Sequence, residues 1–151
     1  DYPDVHFSIY GDGPLREELQ KKITNDNLNG IVTLQGRTNN AQKVLNAADV
    51  FIMTSNYEGM PNALLEAMAV GLPCISTDCP TGPAEIIDNG INGILVPVNN
   101  EAALTKAIEK YIEMGETIAE IGKAARKTVQ DNYSTDVIAY RFVREALQIK
   151  E

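Results

Sequence analysis

Two glutamates with seven residues between them, Glu58 and Glu66, bracket a Gly-Met-Pro-Asn turn in "EGMPNALLEA". Proline at a helix start pre-sets φ and gives up an amide that would have lacked a partner, so Pro61 reads as the first helical residue. Gly59 relaxes the backbone and lets it approach a ligand closely. The amides of Gly59, Met60, Asn62 and Ala63 are then expected to point out of a helix start, where the macrodipole favours an anion. Glu66 lies five residues past Pro61, about 7 to 8 Å along the axis at about 1.5 Å per residue. A phosphate at the helix start would leave Glu66 one sugar unit away, placed to accept hydrogen bonds from a ribose diol. Glu58 would face the other side of that phosphate. The plainer reading makes Glu66 a solvated residue of an amphipathic helix and Glu58 a partner of its dipole. Placement of the turn after the apolar run "DVFIMTS" favours the chemical reading.

A second turn follows closely, "TGPAEII". Gly82 suits an N-cap, Pro83 the first helical position and Glu85 the third, where capping boxes place a carboxylate. A well-capped helix explains this run by itself. The functional alternative is another set of free amides, with Thr81 and Gly82 near a bound sugar or diphosphate. "YGDGPL" is not a dinucleotide fingerprint, because Arg16 stands where the third glycine would be needed. Turn chemistry explains it, or else Gly13 and Pro14 line a cleft. "LQGRTNN" either presents main-chain groups to a base or leaves Arg37 as a plain surface residue. His6 is the single histidine and falls in a strand pattern, so a packed or exposed strand residue is expected and not a catalyst. Neither a metal-ligand cluster nor a nucleophile-base arrangement is legible.

Composition narrows the classes further. A chain of 151 residues fits one domain, residues 1–151, and can bury a sizeable core. The net charge of −8 argues against nucleic acid or anionic membrane as a general partner, since either needs clustered Lys and Arg. Cys74 and Cys79 are too few for a disulfide framework and read as reduced, buried small residues. No apolar run approaches the roughly 20 residues of a spanning helix, and no signal peptide is seen, so a cytoplasmic protein is expected.

The elements that must position these residues alternate. Val5 to Tyr10 reads as a strand, and Leu15 to Asn25 as a helix with Leu15, Leu19 and Ile23 on one stripe. "IVTLQG" is a strand, Ala41 to Ala48 a short helix, and Asp49 to Ser55 a strand covered on both faces. Pro61 to Val70 suits a helix closed by Gly71. "PCISTD" and "GILVPV" are strands on either side of a short helix, Pro83 to Asp88. Helices fill the chain from about residue 101: Ala102 to Met114, a break at Gly115, Glu116 to Asn132, and Thr135 to Ile149. Five strand-helix alternations imply a doubly wound, Rossmann-like parallel sheet in a three-layer α/β/α architecture. Ligands of such sheets bind at the carboxyl ends of strands, and every motif above follows a strand.

Together "IYGDGPL", "VTLQGR", the run from Ala48 to Pro97 and the later "DNYS" resemble the C-terminal, donor-binding domain of family 4 retaining glycosyltransferases (glycosyl transferases group 1). These enzymes have the two-domain GT-B fold. The resemblance spans nearly the whole chain in order, and S-x-x-E-G-x-P-N-x-L-L-E-A-M-A-x-G-x-P is its most specific part. "TGPAEII" looks most like members that build bacterial surface polysaccharides.

The resemblance implies that Glu58 is the catalytic residue, approaching the donor sugar's hydroxyls on the reacting face, that the amides of Gly59 to Ala63 hold sugar hydroxyls and the distal phosphate, and that Glu66 binds the ribose. Main chain around Gln35 to Arg37 would contact the base, and Tyr57 and Met60 would bear on sugar choice. A nucleotide-diphosphate sugar is the implied substrate, with no metal cofactor, as positive groups and helix dipoles stabilise the departing diphosphate. The family's domain opens with a strand and helix whose Arg and Lys grip the diphosphate, and "DYPDV" resembles the tail of that helix. An inactive fragment is therefore expected, lacking also the N-terminal domain that would bind a glycan or lipid-linked acceptor. In the full-length protein, peripheral association with the inner membrane face is expected. Strand order is expected to follow third-second-first-fourth-fifth-sixth with the first missing. Val5 to Tyr10 then either pairs with Asp49 to Thr54 or leaves open edges that recruit another chain. The apolar stripe Val137, Ile138, Phe142 and Leu147 would favour self-association. The other readings are a nucleotide-sugar epimerase of the same architecture, which wants acid-base residues and usually a cleft histidine, and a non-catalytic nucleotide-binding module.

Overall fold

Each strand-like run forms a strand, and every pairing is parallel. β1 (Phe7–Tyr10) pairs with β2 (Val32–Gly36), with Phe7 opposite Val32. β3 (Phe51–Met53), β4 (Cys74–Thr77) and β5 (Ile94–Val96) form a second sheet in that order, with Met53 opposite Ser76 and Ser76 opposite Leu95. The computed structural model describes residues 2–147. Among these residues the strands form two parallel sheets, as a doubly wound order lacking its first strand allows. All three pairings agree with the expected order, and β1 does not pair with β3, so each keeps one open edge among the described residues. Contacts cluster into two compact units, divided between Ala41 and Gln42.

In the first unit α1 (Arg16–Asn25) follows β1. The stripe expected to be covered is mostly open: Leu15 is 60% and Leu19 41% exposed, and Ile23 is the one buried residue of this unit among those described. A two-stranded sheet has too little surface to cover a helix face. Leu15 also falls one residue before the helix.

The second unit carries the core. α2 (Ala41–Leu45) straddles the division, and α3 (Asn62–Ala69), α4 (Pro83–Ile86), α5 (Glu101–Met114), α6 (Ile118–Asn132) and α7 (Thr135–Ala146) follow. Side chains alternate across β4, so Cys74 and Ile75 serve opposite faces. Cys74 packs with Leu64, Met68 and Ala125 from α3 and α6, and Ile75 packs with Ala107 and Tyr111 from α5. Helices therefore cover both faces of this sheet, consistent with β4 being buried along its whole length. α3 ends in a Schellman motif: Leu72 donates to the Ala67 carbonyl and Gly71, at φ 86°, to the Met68 carbonyl. Asn100 caps α5 by accepting from the Ala103 amide at 2.9 Å. The last helix bears no buried residue, with Ile138 47%, Phe142 72% and Leu147 65% exposed. Residues 148–151, where Ile149 was expected to end it, lie outside the described residues. No helix among them is long and apolar enough to cross a membrane.

Both cysteines are free and buried. Burial pushes the Cys74 thiol up from 9.0 to about 12, and it raises the Tyr111 hydroxyl too, with Cys74 a second contributor there. Tyr111 donates to the Cys74 carbonyl at 3.1 Å, so both groups are held neutral at the centre of the sheet. Above pH 9 the unfolded chain releases a thiol proton that the folded chain retains, so stability must fall as pH rises. The expected slope from Cys74 is about 1.4 kcal/mol per pH unit, continuing until the folded thiol itself ionises. Urea midpoints measured at increasing pH for the protein and for Cys74→Ala check this. The variant should decline less steeply, and parallel declines would assign the effect to other groups.

Candidate functional site

β3 and β4 run parallel, so the loops leaving Met53 and Thr77 emerge on one edge. That edge is where the second unit gathers its singled-out residues. The loop after β3 carries Ser55, Glu58, Gly59 and Met60 before α3 begins, and the loop after β4 carries Thr81 and Gly82 before α4.

The turn at Pro61 differs from the expected one. Pro61 is the N-cap of α3, at φ −78° and ψ 76°, and not its first helical residue. These angles make an inverse γ-turn, in which the residue after the centre donates to the residue before it. Accordingly the Asn62 amide, expected to be free, donates to the Met60 carbonyl at 2.9 Å. The Pro61 carbonyl takes the amides of Leu64 and Leu65 at 3.0 and 3.1 Å. What remains open are the amides of Gly59, Met60 and Ala63, which find no partner among the described residues. All three residues are exposed, while Pro61 beneath them is buried. Whereas α1 and α5 carry acidic residues in their first turns, α3 carries none, so its N-terminal positive potential is uncompensated from within.

The two glutamates flank this turn in different states. Glu66 stands exposed on α3, four residues past Asn62, about 6 Å further along the axis. Glu58 is half-buried, and its Oε1 accepts from Ser55 Oγ at 2.6 Å. The reading of Glu58 as a partner of the helix dipole therefore gives way to a carboxylate held by a hydroxyl outside the helix. Ser55 is fixed in turn, since its carbonyl accepts from Thr77 Oγ1 at 2.5 Å.

Thr81 and Gly82 lock the two loops together. Thr81 adopts φ 65°, a left-handed conformation that costs a β-branched residue energy and persists only where its surroundings hold it. Its hydroxyl faces the Glu58 carbonyl and the Pro80 carbonyl. Gly82 caps α4, followed by Pro83, as expected, and the Glu85 amide closes on the Gly82 carbonyl at 3.0 Å. Four residues of helix offer little dipole to an anion at Thr81 and Gly82. This loop instead buttresses the first. Tyr133, from the "DNYS" run, holds α4 by donating to the Glu85 carbonyl at 3.0 Å. Asn92, buried, anchors its far end through the Ile86 carbonyl and the Asp88 amide.

Gly13 and Arg37 belong to the first unit. Gly13 lines an open, largely apolar cleft of about 220 Å³ with Tyr10, Pro14, Leu15 and Leu34. Arg37 is exposed, after Gly36 at φ 74°. His6 is exposed too, its Nδ1 lying 3.1 Å from the Gly30 carbonyl.

Sequence reasoning missed Ser55 and Thr77 as supports of Glu58, and the clasp of Thr81. A hydroxyl three residues before a glutamate was the available signal, but nothing local shows which hydroxyl will face which carboxylate.

Comparison with known proteins adds four findings. A model of the family "Glycosyl transferases group 1" matches residues 1–128. The chain is 32% identical over 139 residues to poly(ribitol-phosphate) alpha-N-acetylglucosaminyltransferase of Staphylococcus aureus, covering 92% of this chain and 28% of that protein. It is 37% identical over 112 residues to UDP-Gal:alpha-D-GlcNAc-diphosphoundecaprenol alpha-1,3-galactosyltransferase of Escherichia coli, covering 74% and 29%. Among solved structures, a TarM variant of S. aureus in complex with Fondaparinux, alpha-GlcNAc-glycerol and UDP matches with a TM-score of 0.87 at 31% identity, over 93% of this chain and 28% of that one. The chain thus spans less than a third of the length of each, and its α/β arrangement is the Rossmann-like one of the GT-B fold.

Proposed function

Since the chain belongs to the glycosyl transferases group 1 family, we propose that it forms the donor-binding part of a retaining glycosyltransferase acting on a nucleotide-diphosphate sugar. One observation carries this reading: an exposed turn with open amides at Gly59, Met60 and Ala63, at a helix start without its own acid, flanked by Glu58 and Glu66. Amides at a helix N-terminus suit a phosphate. Glu66, one sugar unit beyond, takes the ribose hydroxyls, and Glu58 takes hydroxyls of the transferred sugar. The charge on the departing diphosphate is met by those amides and the helix potential, and the reading requires no metal. Exposed Tyr57 and Met60, 72% and 59%, stand beside Glu58 where a sugar ring would lie. The relatives' names support a glycan or lipid-linked acceptor in bacterial polysaccharide assembly, engaged by parts of the protein beyond these residues. The UDP in the TarM structure supports a nucleoside diphosphate as the common ligand. The family match also favours transfer over the epimerase and non-catalytic readings.

Calorimetric titration of this chain with UDP, GDP and ADP tests the reading. At least one should bind, and Glu66→Ala should weaken it by about tenfold or more, the loss of a charged acceptor from a diol. Binding that Glu66→Ala leaves untouched would remove the ribose assignment. Failure of all three nucleotides to bind would remove the donor site.

A further inference from the structure

The serine that opens the S-x-x-E run has no part in the reading above, yet it holds the Glu58 carboxylate. A glutamate side chain turns about three bonds, and a half-exposed one ordinarily samples several rotamers. Here Ser55 Oγ donates to Oε1 at 2.6 Å, the short separation of a hydroxyl on a carboxylate. At its other end Glu58 is held as well, since its main-chain carbonyl accepts from Thr81 Oγ1. Ser55 cannot drift with its partner, because Thr77 Oγ1 donates to its carbonyl at 2.5 Å. Thr77 is the buried last residue of β4, so this chain of hydrogen bonds starts in the sheet. Oε1 is occupied, and Oε2 is left without a partner among the described residues.

We infer that Ser55 is a positioning residue: it fixes the rotamer of Glu58 so that Oε2 meets a hydroxyl of the donor sugar already oriented. The inference rests on the donor-site reading proposed above. Its consequence is selective. Losing the Ser55 hydroxyl frees Glu58 to rotate and weakens the sugar contact, but leaves the amides at Gly59, Met60 and Ala63 and the Glu66 carboxylate as they were.

The test uses this chain with two probes, UDP and UDP-N-acetylglucosamine, and two variants, Ser55→Ala and the hydroxyl-keeping Ser55→Thr. Ser55→Ala should lower the affinity for UDP-N-acetylglucosamine by about tenfold, and that for UDP by less than about twofold. Ser55→Thr should restore the sugar nucleotide's affinity. In a Glu58→Ala background, Ser55→Ala should change neither, since nothing is left to position. Equal losses for both probes, or a loss that persists without Glu58, would make Ser55 a merely structural residue and overturn the inference. Three-bond couplings of the Glu58 side chain, measured by NMR without ligand, supply an independent reading. They should report one rotamer in the protein and averaging in Ser55→Ala, and identical couplings would overturn it too. Because that reading needs no ligand, failure of the nucleotides to bind would sink the donor site and still leave the role of Ser55 decided.

Discussion

Gly122→Ala should destabilise the fold by about 3 kcal/mol, although alanine is the better helix former by about 1 kcal/mol. A methyl at position 122 would lie 2.1 Å from the Gly71 carbonyl oxygen and 3.1 Å from its carbon, with Pro73 Cδ at 3.4 Å. Carbon and oxygen do not approach so closely, and the obstacle is backbone. Gly71 cannot withdraw, since its left-handed turn closes α3 through the amides of Gly71 and Leu72. Only outward displacement of α6 relieves the clash, and that opens the packing of Ala125 against Leu64 and Met68. Denaturation midpoints check it against Lys123→Ala, one residue along and with a side chain 72% exposed, where the expected change is within about 0.5 kcal/mol. If Gly122→Ala proved neutral or stabilising, helix propensity would outweigh the α3–α6 contact, and the close approach drawn here would be wrong.

That glycine shows where sequence reasoning reaches and where it stops. The five strands, their parallel pairing and the helix after each were legible because period, turn residues and branched side chains are local signals. The end of α3 was legible for the same reason, since Gly71 is a helix stop in any context. Gly122 sits inside "AEIGKAARK", where it reads only as a weak point of a helix. Its purpose, room for a carbonyl some fifty residues away in sequence, exists only after the two helices cross. The open stripe of α1 was hidden for a related reason. Leu15, Leu19 and Ile23 announce an apolar face, but whether a face is covered depends on how much sheet stands opposite.

The site divides the same way. Proline and glycine placed a turn at Gly59 to Pro61, and the helix after it followed from the apolar spacing. Residue type alone did not distinguish Pro61 as first helical residue from Pro61 as centre of a γ-turn. Both satisfy the ring's φ, and they differ in ψ. That difference decides which amides are open, and it removed Asn62 from the set. In the second loop the capping pattern of Gly82, Pro83 and Glu85 was readable, but four helical residues are too few for the field expected of them. The loop's contribution lies in what it presses against.

Gly82→Ala should therefore be the most damaging single change at the site. Two penalties coincide there. The backbone holds φ 94° and ψ −74°, near the rare γ-turn conformation that is strained for a residue with a Cβ. A methyl would in addition meet the Gly59 carbonyl oxygen and Pro61 Cδ, each at 2.8 Å. Those atoms belong to the turn whose amides are proposed to hold the phosphate, so relief of the clash displaces the turn itself. Gly90 serves as a positive-φ reference, at 85° with nothing within 4 Å of an added methyl. Gly90→Ala should lose about 1 to 2 kcal/mol of stability and keep its nucleotide affinity. Gly82→Ala should lose about 2 kcal/mol more and bind the nucleoside diphosphate at least about tenfold more weakly. Thermal unfolding and calorimetry on both variants decide the matter. If they proved alike in stability and in binding, the second loop would not support the first, and the strained conformation of Thr81 would be left without the contact that sustains it.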